Sequence, residues 1–336
     1  MRKAENTNLM QRSETIRPLR LWPLAAMVLW ITTALAGGRE PIAPLEAPRA
    51  APRELIELGR DLFHDVRLSK NDSVSCAHCH PLARAGVDGL RVSVGVEGRR
   101  GLINAPTVYN TADQIAQFWD GSADSLEALV LEGPLQDPLE MDSNWPDALA
   151  KLGSDPVLRA RFEQLFDDGL TKENVARAIA VFVAGLVTLD SPFDRWLKGD
   201  EAALDARQKE GYALFKSYGC IACHQGRNVG GNMYATMGVM GDYFADRGGE
   251  LTRADLGRFN VTGRDSDRFV FKVPSLRLVV RTAPYFHDGS AATLEEAVTV
   301  MARYQLGREL PEAHLQAIVA FLKSLAGSHP ELDPAP

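Results

Sequence analysis

The chain has 336 residues, 45% apolar and 24% charged, with 37 Lys and Arg against 44 Asp and Glu. A formal net charge of −7 argues against nucleic acid and against an anionic membrane surface as partners. The length suffices for two compact domains.

In chain order, the first predicted element is an export signal. Arg2, Lys3, Arg12, Arg17 and Arg20 precede an apolar run from Leu21 to Ala36 that ends Ala34-Leu35-Ala36-Gly37. Residues 1–36 therefore read as a cleaved signal peptide, with an uncleaved membrane anchor as the alternative because the apolar run is slightly long. Either way the folded part is expected outside the cytoplasm, in the periplasm. Taking five basic and two acidic residues away with that segment leaves a mature net charge of about −10.

Residues 37–52, rich in Pro, Ala and Gly, read as a flexible lead-in. Helical patterns follow. Leu55, Leu58, Leu62 and Phe63 share one face. Thr171 can cap a helix bearing Val175, Ile179, Phe182, Val183 and Leu186. Ser191-Pro192 is a plausible boundary. Thr293 and Glu296 form a predicted capping box for a helix carrying Val298 and Met301. Pro311 opens a last helix with Leu315, Ile318, Val319, Leu322 and Leu325 on one face and Gly327 as its stop. Pro- and Gly-rich loops at 81–107, 226–249 and 257–290 interrupt these helices.

All four cysteines fall in two copies of one motif, Cys76-Ala77-His78-Cys79-His80 and Cys220-Ile221-Ala222-Cys223-His224. This spacing is the c-type haem attachment signature: two thioethers to the haem vinyl groups and an adjacent histidine as iron ligand. A zinc or redox use of Cys-x-x-Cys leaves the repeated histidine unexplained, and no cysteine remains for a disulfide. The fold class expected is mostly α. Two cytochrome-c-like domains, each with one covalently attached c-type haem, span 53–190 and 191–327. A tail follows at 328–336, and the last helix is free to pack back on the N-terminal domain.

The other face of each iron decides function. Above His224, the later candidates are Met233, Met237, Met240 and Met301, with Tyr304 and His287 as competitors; His/Met ligation raises the potential. Above His80 there are few candidates. His64 is better placed behind the haem, and Met141 is possible. A vacant iron would admit a small molecule such as peroxide, and O–O cleavage would then need a group that moves a proton between the two oxygens. Glu140, in Asp137-Pro138-Leu139-Glu140-Met141, is a candidate, although its residue type alone equally fits a solvated carboxylate.

From about residue 55 to 327 the chain resembles the bacterial dihaem cytochrome c peroxidase family, which includes MauG-like enzymes. The segments that carry the resemblance are Leu62 to Ser69, Asn104-Ala105-Pro106-Thr107-Val108, Gln117-Phe118-Trp119-Asp120-Gly121, Ser191-Pro192-Phe193-Asp194, Ala283 to Gly289 and Gln305-Leu306-Gly307. The resemblance implies a peroxidatic haem on His80 and an electron-entry haem on His224 and Met301. It also implies Glu140 as distal acid/base, Trp119 between the haems, and a calcium ion held by Asn104, Thr282 and Pro284. Many family members carry a blocking histidine in a Ser-x-Gly-His segment; here Ser93-Val94-Gly95-Val96 puts valine at that place.

The function expected is a periplasmic peroxidase reducing hydrogen peroxide to water, without reductive activation. Its electrons would come from a small cytochrome c or a cupredoxin, and a homodimer is possible. Two alternatives stand beside it: a MauG-like oxidase acting on a protein or organic substrate, and a non-catalytic dihaem electron carrier.

Overall fold

The computed structural model describes residues 40–334; the expected signal peptide lies outside the described residues. The N-terminal half opens with α1 (Arg53–Phe63), whose Leu55, Leu58, Leu62 and Phe63 are buried, as their spacing predicts. A one-turn helix α2 (Cys76–Cys79) carries the first Cys-x-x-Cys-His. Then come α3 (Leu126–Glu132), α4 (Trp145–Gly153), α5 (Pro156–Leu165) and α6 (Lys172–Ala184). Side chains of Ser125, Asn144, Asp155 and Thr171 accept backbone N–H groups at the starts of these four. Those donors have no partner inside their own helix, so the caps fix where each helix begins.

The C-terminal half contains α7 (Pro192–Leu197) and α8 (Ala206–Tyr218), then the second motif in a tight turn at Cys220–Ala222. Gly219 ends α8 at φ 98°, a left-handed conformation that favours glycine. Next are β1 (Tyr234–Thr236), α9 (Tyr243–Arg247), α10 (Phe259–Thr262) and β2 (Val270–Lys272). The two strands pair antiparallel, with Tyr234 opposite Lys272 and Thr236 opposite Val270. Helix α11 (Leu294–Leu306) starts on the predicted Thr293–Glu296 capping box, and α12 (Glu312–Lys323) follows.

Each half has its own apolar core, and the two are built alike. In the first, α1 crosses α6; in the second, α8 crosses α12. Gly59 faces the backbone of Ala178 so closely that a Cβ there would lie 1.9 Å from the Ala178 carbonyl oxygen. Gly211 faces Ala317 in the same way, also at 1.9 Å. Four residues after each of these positions stands a phenylalanine, and the rings meet across the crossing. Phe63 and Phe182 have centroids 5.5 Å apart, and Phe215 and Phe321 5.1 Å. A small-residue contact with aromatic rings one turn on lets each helix pair close tightly beside its Cys-x-x-Cys-His turn.

Three expectations need correction. Part of the lead-in is docked: Ile42 and Leu45 are buried, Gly226 N–H donates to the Pro41 carbonyl and Arg277 to the Ala43 carbonyl. The last helix packs on α8 and α11 in its own half, because its apolar face belongs to the C-terminal core. The segment that returns to the N-terminal half is the tail. Ser328 pairs with Leu189, the His329 ring meets Tyr109, and Leu332 is buried in the N-terminal core. Gly327 is not the stop of α12, which ends at Lys323; it is needed because a Cβ there would lie 2.4 Å from the Thr188 carbonyl oxygen. Among the described residues no helix is long and apolar enough to cross a membrane.

Candidate functional site

Both motifs open into one cavity of about 670 Å³ whose walls are mainly apolar. Cys76, Cys79 and His80 of the first motif and Cys220, Cys223 and His224 of the second all line it. Burial pushes the Cys76 thiol up to about 12 and the Cys79 and Cys220 thiols up to about 11. Thiols so far from ionising are poor redox nucleophiles at neutral pH.

Each histidine is oriented by one hydrogen bond. His80 Nδ1 donates to the Gly86 carbonyl at 3.0 Å, and His224 Nδ1 to the Val229 carbonyl at 3.2 Å. That bond fixes the tautomer and leaves Nε2 with its lone pair, the usual arrangement for a metal-ligating imidazole. Burial lowers both pKa values, His224 to about 4, so the neutral form prevails. Two cysteines and a neutral histidine from each motif, all lining one large apolar cavity, fit the demands of two haems.

The remaining candidates fall into three groups. Met301 is half-buried on α11 and lines the cavity, as does Met237; Met233 and Met240 do not. Of the competitors, Tyr304 does not line the cavity and donates its hydroxyl to Asp246 at 2.9 Å. His287 does line it, but its Nε2 bonds Asp255 at 2.8 Å. Asp255, His287 and Asp288 are the cluster of potential metal ligands among the described residues. Arg247 bridges both carboxylates at 2.6 and 2.9 Å, so a protein cation already occupies the place beside them.

Glu140 lines the cavity near the first motif, and its carboxyl has no hydrogen-bond or ion-pair partner among the described residues. Desolvation, with Asp137 nearby, raises its carboxyl to about 7. Its backbone carbonyl accepts from Val96 N–H at 2.8 Å. The Val96 side chain is fully buried in the N-terminal core and does not line the cavity. Gly95 permits this close approach, since a Cβ there would lie 2.1 Å from the Leu139 carbonyl oxygen. Arg99 ties the same loop to the Pro138 carbonyl at 2.7 Å and to Asp142 at 2.9 Å.

Trp119 lines the shared cavity, donates its indole N–H to the Asn104 carbonyl at 3.0 Å and meets the His287 ring edge-on. Asn104, Thr282 and Pro284 all border the cavity. The Asn104 amide nitrogen donates to the Leu90 carbonyl at 2.9 Å, which turns its amide oxygen away from that strand of chain. Among the described residues neither the Thr282 nor the Pro284 carbonyl accepts a hydrogen bond. Amide and carbonyl oxygens are the ligand type that a hard cation takes. Sequence reasoning missed the Gly59/Ala178 and Gly211/Ala317 contacts, which a repeated Gly-x-x-x-Phe before each motif could have flagged. It also missed Asp255, which no local pattern marks.

Fold and cavity together define a mostly helical protein shaped to hold two haems. A model of the di-haem cytochrome c peroxidase family matches residues 53–202. The chain is 44% identical to a cytochrome c551 peroxidase of Nitrosomonas europaea, over 96% of this chain and 94% of that protein. It is 47% identical to the cytochrome c peroxidase Ccp of Escherichia coli, over 88% of this chain but only 63% of that longer protein. A crystal structure of a MauG-like protein associated with microbial copper homeostasis superposes with a TM-score of 0.73 at 28% identity, covering 86% of this chain and 96% of that one. The chain belongs to the dihaem cytochrome c peroxidase family, as a peroxidase-class oxidoreductase with two haem cofactors.

Proposed function

We propose that the protein is a periplasmic dihaem peroxidase that reduces hydrogen peroxide to water with electrons from a small cytochrome c or cupredoxin. The observation that carries this reading is the asymmetry of one cavity. An unpaired carboxyl with a raised pKa stands near the first motif, and a thioether stands on α11 in the half that bears the second. Cys76, Cys79 and His80 would hold one haem and Cys220, Cys223, His224 and Met301 the other. When bound, the haems would supply the iron that takes peroxide and the electrons that reduce it, to be replaced from the donor.

Glu140 takes a proton from one peroxide oxygen and delivers it to the other, which then leaves as water. Its raised pKa suits a group that must both accept and donate near neutral pH. The Gly95–Arg99 loop holds the Glu140 backbone in place. Trp119, fixed by Asn104, offers a π-system within the cavity that both motifs share, which supports a role in passing electrons between them. Asn104, Thr282 and Pro284 would hold a calcium ion through oxygen atoms contributed by both halves.

Val96 offers no nitrogen or sulfur to a metal, and its side chain is packed in the core. The site at His80 is therefore open without prior reduction. The decisive experiment is steady-state peroxide reduction by the as-isolated, fully oxidised protein with a reduced cytochrome c donor. Immediate turnover is expected; a lag abolished only by pre-reduction would overturn the open-site reading, and no turnover under either condition would overturn the peroxidase. The open site also favours a MauG-like oxidase, while Met301, where such enzymes typically carry tyrosine, favours the peroxidase. A long-lived oxidised spectrum after peroxide, with no donor consumed, would select the oxidase.

A further inference from the structure

Lys272 is the charged group that this mechanism leaves unused. It ends β2, is 8% exposed, and is the only lysine or arginine among the described residues lining the cavity. Its ammonium donates to the Gln114 side-chain oxygen at 2.5 Å and to the Ala116 carbonyl at 2.8 Å. Both acceptors are neutral, and an ammonium has three donors. Among the described residues no carboxylate forms an ion pair with it; Asp120 acts on it through charge alone, with no hydrogen bond. Burial lowers its pKa to about 8, which leaves it mostly charged at neutral pH. Buried charges are ordinarily paired, so the cavity lacks the anion that this cation requires.

Position says which anion. One residue on, the Val273 carbonyl accepts from Gly231 N–H at 2.7 Å. Next, the Pro274 carbonyl lies against Gly230, where a Cβ would also lie 3.3 Å from His224 Nδ1. Lys272 is thus two residues from the backbone that walls His224. On its other side, Lys272 N–H donates to the Trp119 carbonyl at 2.8 Å.

We propose that Lys272 pairs with a propionate carboxylate of the haem held by His224 and so raises that haem's reduction potential. The inference rests on the haem reading of Cys220, Cys223 and His224 given above. The physical reason is charge: oxidised iron carries one more positive charge than reduced iron, so a fixed cation nearby favours the reduced form. The residue would set how readily electrons enter at the second haem.

The test is anaerobic spectroelectrochemical titration of the intact dihaem protein, with no peroxide present, comparing wild type with Lys272→Gln and Lys272→Arg. Gln can still donate to the Ala116 carbonyl but carries no charge; Arg keeps the charge. Lys272→Gln should lower the midpoint of the His224 haem by about tenfold in its reduction equilibrium, about 59 mV for one electron. Lys272→Arg should shift it much less, and the His80 haem should move less than the His224 haem in both. An unchanged midpoint in Lys272→Gln, equal shifts in both variants, or a larger shift at the His80 haem overturns the proposal. If Lys272→Gln loads fewer than two haems, full loading of Lys272→Arg supports it and equal failure of Lys272→Arg overturns it. A saturable spectral response of wild type to chloride or phosphate that Lys272→Gln lacks would assign the place to a free anion and also overturn it. Peroxide turnover is measured separately: a protein with the predicted midpoint shift but no turnover sinks the peroxidase reading and leaves Lys272 standing.

Discussion

Glu140 shows how one side chain's surroundings set its chemistry. A carboxyl on a solvated surface titrates near 4; at the wall of an apolar cavity and without a partner, this one is held up to about 7. As a base it must begin ionised, so kcat/KM for peroxide should fall as pH drops below about 7, and Glu140→Gln should abolish that acid limb. The rate itself should fall by about 10²- to 10⁴-fold, the usual contribution of positioned acid–base catalysis; stopped-flow assays across pH 5–9 measure both. The same shift has a stability consequence. The folded pKa lies above the ordinary value of 4.5, so between the two the folded chain binds more protons and loses stability as pH rises. Glu140→Gln should therefore leave stability unchanged near pH 4.5 and increase it at pH 8, as read by denaturant titration of the haem-loaded protein. At Val96, a core-packed side chain with no donor atom predicts a high-spin ferric component in the resting electron paramagnetic resonance spectrum. Two purely low-spin signals would mean that another protein group has taken the place.

At the scale of elements, the two helix crossings carry the argument. α1 over α6 and α8 over α12 depend on Gly59 and Gly211 having no side chain, with 1.9 Å between a hypothetical Cβ and the opposing carbonyl oxygen in each case. That oxygen is backbone and cannot rotate away, so the helices themselves must part. Gly211→Val should cost about 2 kcal/mol or more, as overpacking does, and should disturb the His224 haem, whose turn follows directly from α8. Gly59→Val should act on the His80 haem instead. Separate visible spectra of the two haems would reveal this division, and equal disturbance of both by either variant would contradict two independently built crossings. The Gly95–Arg99 loop is a second case, in which a missing Cβ lets one loop brace the carbonyl of another and so fixes Glu140.

The whole molecule joins these halves along one cavity and a few crossing links. Asn104 N–H donates to the His287 carbonyl at 2.7 Å, Trp119 hangs from Asn104, and the tail from Ser328 to Leu332 returns to the N-terminal core. The residues proposed to hold calcium come from both halves, Asn104 from one and Thr282 and Pro284 from the other. One calcium per chain is expected by elemental analysis after dialysis, lost in Asn104→Ala. Its removal with a chelator should slow peroxide turnover while leaving both haems attached, because the seam loosens and the attachment turns do not.

What the sequence alone determined is what short spacing encodes. A Cys-x-x-Cys-His turn, a Thr293–Glu296 capping box and the apolar stripe of α1 are each complete within a few residues, so they were legible before any fold was known. Family segments carried Glu140, Trp119 and Met301 further, because several motifs in one order are hard to meet by chance. Only the tertiary structure brought both motifs to one cavity, turned Tyr304 away from it toward Asp246, and tied His287 to Asp255, 32 residues earlier. It alone left Lys272 buried beside neutral acceptors, and it alone sent the tail, rather than the last helix, back across the molecule. The reason is physical: hydrogen bonds between distant segments, desolvation of a charge, and the clearance at Gly59 and Gly211 are properties of what chain folding places opposite a residue, and its sequence neighbours do not record them.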